Sequence, residues 1–353
     1  MILPRTMKAA VLIALQKPLE IMEIKLPDSL QRGQVLVKIF YSGICGSQLG
    51  EIDGAKGEDN YLPHLLGHEA SGVVEAIGPD VTHVNVGQHV VLHWRKGLGI
   101  DAAPPFYFAD EKRINAGQIA TFNEYAIVAE NRVTPIASTA DMKIAALFGC
   151  AITTGFGVVK NNAKLKADES VVVFGAGGVG LNIIQAAAMQ GAHPIIAVDQ
   201  FDGRLALAKK MGATHTINTR DAEAAHTIST LLNGKVLDCF IDNTGNTRII
   251  EMGYQITGPQ GRVILVGVPR HDQNITIHSL PLHFGKTITG SHGGEAVPNE
   301  DIPHYFKDFN EKKIQLDDLI TNVYSFDEIN EAIYAMRTGL VNGRCLIKIN
   351  EKV

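Results

Sequence analysis

The pattern of hydrophobic and polar positions divides the chain into two parts. In the first part, short runs that alternate apolar and polar positions, or that end at glycine or a charged residue, predict β-strands at residues 34–40, 72–78 and 89–94. The apolar run at residues 8–15 is interpreted as a further strand, because no small-residue cleavage pattern follows it. Helical periodicity is scarce up to about residue 150, so this part is predicted to be rich in β-structure.

Residues 95–118 interrupt that pattern. Glycine and proline recur through the segment, as Gly97, Gly99, Pro104, Pro105 and Gly117. They predict a long irregular excursion, and loops of that length are usually functional or supported by another element.

From about residue 165, strand and helix patterns alternate. Strand-like apolar runs occupy residues 171–174, 194–198, 215–217, 237–242, 262–268 and 287–291. Helical spacing lies between them, at residues 181–190, 204–211, 222–232 and 248–256. Such alternation predicts an α/β fold with a parallel sheet that is covered by helices on both faces. The alternation stops near residue 295, and the strand-like run at 345–349 is expected to return to the first part.

Composition limits the classes of function. With 353 residues, of which 45% are hydrophobic and 20% charged, the chain resembles an ordinary globular protein of about two domains of roughly 150 residues. The net charge of -5 gives no basic excess, so a nucleic-acid partner is excluded. No stretch approaches the roughly 20 apolar residues of a membrane span, so no membrane partner is expected.

The four cysteines indicate a reducing compartment, because they form no disulfide framework in a chain of this length. Cys239 and Cys345 lie in strand-like apolar runs and are expected to pack in the core. Cys45 and Cys150 lie instead in contexts typical of metal sites, GICGSQ and LFGCAITTG. A cytoplasmic enzyme is therefore expected.

Cys45, His68 and Cys150 form a candidate metal-binding set. Two thiolates and one imidazole supply three zinc ligands and leave the fourth tetrahedral position open, as a catalytic zinc requires. Each residue alone has an ordinary structural explanation, since a cysteine often packs as a small hydrophobe and a histidine can be satisfied in a core. The set predicts a catalytic zinc because it occurs together with a dinucleotide-binding pattern.

That pattern is a glycine-rich turn after the strand predicted at residues 171–174. Gly175, Gly177 and Gly180 form the sequence G-x-G-x-x-G directly before a predicted helix. The glycines permit a tight turn, close approach of the backbone to a pyrophosphate and close helix packing, while the helix N-terminus stabilises the phosphate charge. Asp199, at the end of the next strand, is expected to accept hydrogen bonds from the adenosine ribose hydroxyls.

Asp199 also indicates which dinucleotide binds. Its carboxylate would oppose the 2′-phosphate of NADP, so NAD is predicted. Arg204 is the counterargument, since it could lie across the ribose or accept a 2′-phosphate. The predicted cofactor site also includes Gly178, Val179, Val266 and Val268. Metal and dinucleotide signals on one chain together indicate zinc-assisted hydride transfer.

Four segments, GICGSQ, GHEASGVVEAIG, GCAITTGFG and VVVFGAGGVGLNIIQAAAMQGA, resemble in order and spacing the zinc-dependent alcohol dehydrogenases of the medium-chain dehydrogenase/reductase superfamily. The resemblance covers essentially the whole chain. It implies a GroES-like, β-rich catalytic domain (residues 1–152 and 295–353) interrupted by a Rossmann domain with a doubly wound parallel sheet (residues 153–294). It also suggests a homodimer or homotetramer, built through the last strand of the Rossmann sheet near residues 287–291.

The resemblance assigns roles to individual residues. It implies one catalytic zinc on the three candidate ligands, with Glu69 beside the metal. Ser47 matches the hydroxyl residue that takes the substrate proton. Thr154 matches a threonine that packs against the nicotinamide, and Trp94 aligns with a large apolar position that lines the substrate pocket.

The chain departs from the family in two places. Many relatives bind a second, structural zinc through four closely spaced cysteines, but residues 95–118 contain none, so we predict no structural zinc and a loop held by packing. Relatives often carry, five residues after the first zinc cysteine, a histidine that hands the proton to solvent, whereas this chain has Gly50. Proton release is then expected through the serine and the cofactor ribose, or through Glu51, Asp53 or His64.

The leading hypothesis is oxidation of a primary or secondary alcohol, with reduction of the aldehyde or ketone in reverse. His93, Tyr107 and residues 291–295 suggest a polar pocket suited to a polyol or sugar. One alternative is a zinc-free, NADPH-dependent quinone or enoyl reductase of the same superfamily. Another is a non-catalytic nucleotide-binding protein of the lens-crystallin kind. The metal-binding set opposes both alternatives, and Asp199 opposes the first.

Overall fold

The computed structural model describes residues 3–351, which fall into two compact units. One unit contains the chain up to Cys150 together with the residues from Val297 onward, and the other is Ala151–Ala296. The predicted boundaries, after residues 152 and 294, lie within two residues of this division. The chain therefore leaves the first unit, builds the second, and returns.

The first unit begins with β-structure. Its strands before Cys150 are β1 (Thr6–Leu12), β2 (Glu20–Lys25), β3 (Gln34–Ile44), β4 (His64–Leu65), β5 (Glu69–Ile77), β6 (His89–His93), β7 (Phe106–Ala109), β8 (Lys112–Asn115), β9 (Tyr125–Ala129) and β10 (Val133–Pro135). Two short helices accompany them, α1 (Gly46–Ile52) and α2 (Met142–Ala146). Strands β1, β2, β7, β8 and β4 close, in that order, into a barrel.

The structure corrects the prediction for residues 95–118. Instead of an irregular excursion throughout, the segment contains the β7–β8 hairpin, which pairs with β2 and with β4 and so completes the barrel. Tyr107 and Ile114 point into the barrel core and are 2% and 0% exposed, whereas Phe106 and Phe108 are 46% and 43% exposed. Each of these strands has only four residues. An alternation of apolar and polar positions this short does not reveal a strand inside a glycine- and proline-rich segment.

The buried carboxylate of Glu130 connects the loop before this hairpin to the loop between β5 and β6. Glu130 is fully buried, and its Oε1 accepts hydrogen bonds from the backbone N–H groups of Thr82 and His83, at 2.6 Å each. Its Oε2 accepts a hydrogen bond from the Ile100 N–H at 2.8 Å. Burial opposes ionisation, but these three hydrogen bonds hold the pKa of Glu130 below its ordinary value. One anion thus fixes two loops that share no strand pairing.

Glu130→Gln is expected to destabilise the first unit by about 1–3 kcal/mol, because its amide NH₂ group would face at least one of the backbone donors. Urea unfolding at pH 7 measures the effect, with Glu111→Gln on the exposed hairpin turn as the control. Since the folded pKa is lowered, the contribution of Glu130 is present above the ordinary carboxyl range and is lost as the pH falls through the folded value. The two proteins should therefore converge in acid, and equal stability at pH 7 would contradict this role.

The second unit alternates strands and helices. Its strands are β11 (Val171–Phe174), β12 (Ile195–Asp199), β13 (His215–Asn218), β14 (Leu237–Asp242), β15 (Thr257–Leu265) and β16 (Thr287–Gly290). Its helices are α3 (Ala151–Gly157), which continues as a π-helical turn at Val158–Ala163, α4 (Gly178–Met189), α5 (Asp202–Lys210), α6 (Ala224–Leu232) and α7 (Thr247–Ile256). The strands form a parallel sheet in the order β13-β12-β11-β14-β15-β16. This is the Rossmann order, in which a dinucleotide binds where the strand order reverses beside the first strand.

The chain re-enters the first unit through α8 (Pro298–Asn310), β17 (Ile320–Ser325), α9 (Ile329–Thr338) and β18 (Arg344–Lys348). Strand β18 pairs antiparallel with β3 and parallel with β17, inside a sheet of order β10-β6-β5-β3-β18-β17, and β9 also pairs with β3. Within residues 3–351, no single helix has both the length and the apolar composition to cross a membrane, although the successive helical stretches Met142–Gly149 and Ala151–Ala163 meet both criteria in combination.

Candidate active site

The three predicted metal ligands meet in the first unit. Cys45 lies immediately before α1, His68 immediately before β5, and Cys150 follows the 3-10 turn Leu147–Gly149. Their candidate ligand atoms all lie within 4.8 Å of one another. In the described part of the chain, this is the one group of three or more histidine, cysteine or carboxylate side chains placed to hold a metal ion.

The donor atoms of this cluster suit a cation. The Nε2 atom of His68 is buried without a hydrogen-bond partner, while its Nδ1 contacts the side-chain amide of Gln48. The pKa of the Cys45 thiol is held well below its ordinary value, first by a hydrogen bond with Cys150 and further by His68 and the charge of Arg344, against the opposing effect of burial. An orphaned imidazole nitrogen beside two sulfur atoms, one of them favoured as a thiolate, fits zinc.

Glu69 follows His68 in β5 and forms a buried ion pair with Arg344 of β18. The two residues are 0% and 3% exposed. Sequence reasoning placed Glu69 beside the metal but missed Arg344. The available signal was an arginine directly before the apolar residues 345–347, because a buried charge requires a partner.

Two glycines leave room for this ion pair. A Cβ atom on Gly43 would lie 2.2 Å from Glu69 Oε1. A Cβ atom on Gly149 would lie 2.2 Å from the Leu92 carbonyl oxygen and 2.8 Å from Glu69 Cβ. Any side chain at Gly149 would therefore displace either β6 or Glu69. The glycine that precedes Cys150, the third candidate ligand, is thus required by the packing around Glu69.

Ser47 and Trp94 also belong to the first unit. Ser47 lies in the first turn of α1, and its hydroxyl is buried without a hydrogen-bond partner. Trp94 follows β6, and its ring centroid lies 6.5 Å from that of His68, with the two ring planes tilted by 58°. A large aromatic side chain therefore borders the metal cluster.

The prediction that His93 and Tyr107 line a polar pocket is wrong. His93 is 1% exposed, and its ring nitrogens are bonded to a backbone carbonyl at 2.7 Å and to the Thr134 hydroxyl at 2.9 Å. Burial lowers the pKa of His93 to about 4, so the ring is neutral near pH 7. Tyr107 lies in the barrel core, where its hydroxyl accepts a hydrogen bond from the Ile127 N–H at 3.3 Å. Both side chains are therefore buried and hydrogen-bonded within the core of the first unit, and neither lines a substrate pocket.

The three alternatives for proton release are constrained to different degrees. His64 Nε2 is paired with Asp59 at 2.8 Å, and its Nδ1 is bonded to a backbone carbonyl at 3.0 Å. Asp53 is paired with Arg337 at 2.5 Å. Glu51, on α1, lies 3.8 Å from the nearest ammonium group, and its side chain is 32% exposed. The long ion pair leaves Glu51 the least constrained of the three groups.

In the second unit, the glycine-rich turn connects β11 to α4. Gly175 has a φ of +93°, and a Cβ atom on Gly180 would lie 2.0 Å from the Gly175 carbonyl oxygen. A Cβ atom on Gly177 would meet nothing within 4 Å, so the approach to the start of the helix is open there. The three positions therefore fit the requirements for a tight turn, for approach to a pyrophosphate and for close helix packing.

Asp199 ends β12 beside this turn and is 6% exposed. Its Oδ2 accepts a hydrogen bond from the Ala176 N–H at 2.8 Å, and its Oδ1 accepts two from the N–H groups of Gln200 and Phe201, at 2.7 and 3.1 Å. A carboxylate offers about four acceptor positions, so a ribose hydroxyl can still donate to Oδ2. The Arg204 guanidinium lies 3.8 Å from the same oxygen and 4.7 Å from the centre of the Phe201 ring.

Sequence reasoning missed Asn243, the residue after β14. Both polar atoms of its side-chain amide are buried and have no hydrogen-bond partner. Its Nδ2 lies 3.4 Å from the position that a Cβ atom on Gly180 would take, so the amide borders the glycine-rich turn. Buried polar atoms normally have a partner, which makes this amide a candidate contact for a ligand. The available signal was its place at the carboxyl end of a strand in this type of sheet.

The remaining predicted cofactor residues also lie in the second unit. Val179 is in the first turn of α4, and Val266 follows β15, where its N–H donates to a backbone carbonyl at 2.8 Å. Val268 is 68% exposed, and Thr154 is buried in α3. Residues 291–295, the last part of the suggested polar pocket, contain a short 3-10 turn in this unit, where a backbone carbonyl accepts a hydrogen bond from an asparagine side chain at 2.8 Å.

The other two cysteines are core residues, as predicted. Cys239 in β14 and Cys345 in β18 are free thiols and are both 0% exposed. Burial raises the pKa of each thiol to about 12, so neither is a thiolate near pH 7.

Comparisons with known proteins agree with this geometry. The family model described as an alcohol dehydrogenase GroES-like domain matches residues 31–138, and the model described as a zinc-binding dehydrogenase matches residues 178–311. The chain is 31% identical to an S-(hydroxymethyl)glutathione dehydrogenase of Escherichia coli and 30% identical to an NDMA-dependent alcohol dehydrogenase of Amycolatopsis methanolica. Each alignment covers 94% of this chain, and 97% and 96% of the respective relatives.

Solved structures give the same result. Benzyl alcohol dehydrogenase from Acinetobacter calcoaceticus matches with a TM-score of 0.88 at 31% identity, over 98% of this chain and 100% of that structure. An alcohol dehydrogenase zinc-binding domain protein from Burkholderia ambifaria matches with a TM-score of 0.88 at 28% identity, over the same shares. The chain, with its cysteine and histidine cluster and its Rossmann sheet, therefore belongs to the zinc-dependent alcohol dehydrogenase family of the medium-chain dehydrogenase/reductase superfamily.

Proposed function

We propose that the protein oxidises a primary or secondary alcohol reversibly with NAD and holds one zinc ion per chain, on Cys45, His68 and Cys150. The observation that supports this most strongly is the convergence of three ligand atoms within 4.8 Å, one of them offered by a histidine whose buried Nε2 has no partner. We propose no structural zinc, because residues 95–118 lack cysteine and their hairpin is held by the barrel core.

The chemistry divides between the bound groups and the protein. Zinc, when bound, would act as a Lewis acid that lowers the pKa of an alcohol hydroxyl, and NAD, when bound, would accept the hydride. Ser47 is proposed to take the alcohol proton, because its buried hydroxyl has no other hydrogen-bond partner. The ion pair with Arg344 holds Glu69 in a fixed place next to the histidine ligand. Glu51 is the proposed exit for the proton to solvent.

Asp199 supports NAD over NADP. Three backbone N–H groups hold its carboxylate in place, so it cannot easily turn away from a 2′-phosphate. Arg204 is the opposing group, but its guanidinium already lies near both this carboxylate and the Phe201 ring. The buried amide of Asn243, beside the glycine-rich turn, is proposed as a further cofactor contact.

The test is reduction of NAD and of NADP by a panel of alcohols, with zinc content measured on the same protein. The panel includes benzyl alcohol and S-(hydroxymethyl)glutathione, which the names of two similar proteins suggest. Zinc-free protein that reduces a quinone or enoyl substrate with NADPH would favour the reductase alternative. Protein that binds dinucleotide but turns over no alcohol or aldehyde would favour the non-catalytic alternative.

We expect kcat/KM to be at least about tenfold higher with NAD than with NADP, equivalent to about 1.4 kcal/mol. Asp199→Asn should reduce this preference, because it removes the charge that opposes the 2′-phosphate; its NH₂ group then faces either the Ala176 N–H or the N–H groups of Gln200 and Phe201. Zinc content, which should not change, serves as the control. A wild-type preference for NADP would show that Arg204 outweighs Asp199 and would contradict the assignment.

We also propose a homodimer or homotetramer. Strand β16 is one of the two edge strands of the parallel sheet, and an edge strand presents unpaired backbone groups that a second copy can bind. The short helix Leu280–Phe284, just before this strand, exposes 53% of Leu280 and 66% of Phe284. An apolar surface next to an open sheet edge favours association of two chains there.

A further inference from the structure

One buried amide touches two of the three proposed zinc ligands. Gln48, in the first turn of α1, is 2% exposed. Its Oε1 accepts a hydrogen bond from the Cys45 N–H at 2.9 Å, and this bond caps the start of the helix. Its Nε2 contacts Nδ1 of His68. The same side chain therefore links the helix cap to the metal-binding histidine.

Zinc on Nε2 of His68 determines what Nδ1 requires. A neutral imidazole carries one proton, so metal binding at Nε2 leaves that proton on Nδ1 and makes Nδ1 a donor. In metalloproteins this N–H is usually bound by a carboxylate or carbonyl oxygen, which orients the ring and increases its basicity as a ligand. Here Nδ1 faces the NH₂ group of Gln48, which is also a donor.

The Gln48 amide offers one oxygen to two donors on opposite sides. Rotation of the amide by 180° gives its oxygen to His68 and turns NH₂ towards the Cys45 N–H, so one of the two donors always faces NH₂. We propose that Gln48 is the positioning residue for His68, and that its single acceptor oxygen weakens zinc retention because zinc loading removes the hydrogen bond that caps α1. This inference rests on the proposed zinc site.

The isosteric variant Gln48→Glu tests the proposal, since a carboxylate offers one oxygen to each donor. We expect it to bind zinc at least about tenfold more tightly than the wild type, because such partners typically change metal affinity 10–100-fold. Gln48→Met fills a similar volume without an acceptor and should bind zinc about tenfold more weakly. Competition with a chelator of known affinity, on the full chain without substrate or dinucleotide, measures affinity independently of turnover.

The matched control for charge is Gly46→Glu. Gly46 is exposed in the same turn of α1, and a Cβ atom there meets nothing within 4 Å, so the variant adds a carboxylate on the surface next to Cys45. An exposed charge should change zinc affinity by less than about fivefold. A gain in Gly46→Glu equal to that in Gln48→Glu would overturn the proposal, because charge alone would then explain it.

A second measurement reports the hydrogen bond itself. In Co(II)-loaded protein, the Nδ1 proton of His68 should exchange with solvent more slowly in Gln48→Glu than in the wild type. Unchanged zinc affinity and unchanged exchange in Gln48→Glu would overturn the proposal, even if Gln48→Met fails to fold. Wild-type protein that binds no zinc would refute the zinc site itself, and that result is distinguishable from equal zinc affinity in all variants.

Discussion

Cys45→Ala is expected to abolish alcohol oxidation, with turnover lowered more than about 10³-fold and bound zinc well below one ion per chain. A metal lowers the pKa of a bound water from about 15.7 to about 7, and an alcohol hydroxyl deprived of the metal loses a comparable activation. The remaining histidine and cysteine provide two ligands, which is fewer than catalytic zinc sites use. Elemental analysis for zinc and the rate of NADH formation measure the two effects.

The matched control for this variant is Cys239→Ala. Cys239 is a buried core thiol of the second unit, and it is not part of the metal cluster. This variant should keep its zinc and most of its turnover, although its stability falls slightly through the small cavity it creates. Full zinc content and full turnover in Cys45→Ala would remove Cys45 from the ligand set.

Arg344→Met is expected to destabilise the first unit by about 3–5 kcal/mol, because it leaves the Glu69 carboxylate buried without its cation. Methionine fills much of the volume of arginine, so the lost stability is mainly electrostatic. A shift of about 2–4 °C in Tm accompanies each kcal/mol for units of roughly this size, so melting of the first unit should fall by about 6–20 °C. Differential scanning calorimetry measures this shift.

Two further variants separate the buried ion pair from ordinary surface effects. Arg337→Met breaks the exposed pair with Asp53, whose side chains are 39% and 36% exposed, and should cost about 1 kcal/mol or less. The double variant Glu69→Gln with Arg344→Met should recover most of the lost stability, because no unpaired buried charge remains. A wild-type Tm for Arg344→Met would show that Glu69 does not depend on this partner.

Sequence reasoning predicts the second unit well because its signals are local. The apolar runs at residues 171–174 and 237–242 coincide with β11 and β14, and the glycine-rich turn directly follows the first of them. The first unit depends instead on pairing between distant segments. The β7–β8 hairpin was missed because its two short strands are stabilised by pairing with β2 and β4, which lie far away in the sequence.

The same distinction applies to the candidate site. The three candidate metal ligands were predicted because zinc requires particular side chains, and the structure brings these three together. Arg344 and Gln48 were not found, because each depends on a neighbour that the fold supplies. His93 shows the reverse error, since a polar side chain in a sequence looks the same whether it lines a pocket or is satisfied in a core.

The position of β18 has a consequence for how the protein matures. Residues 344–348 lie between β3 and β17 in the main sheet, yet the ribosome makes them after the whole second unit. The Rossmann unit is contiguous in sequence and can fold as soon as it leaves the ribosome. In contrast, β3 cannot pair with β18, and Glu69 cannot pair with Arg344, until the end of the chain has been made. We therefore expect the proposed metal site to gain its final surroundings only after residues 344–348 are synthesised, so that a metal ion would bind late in biogenesis.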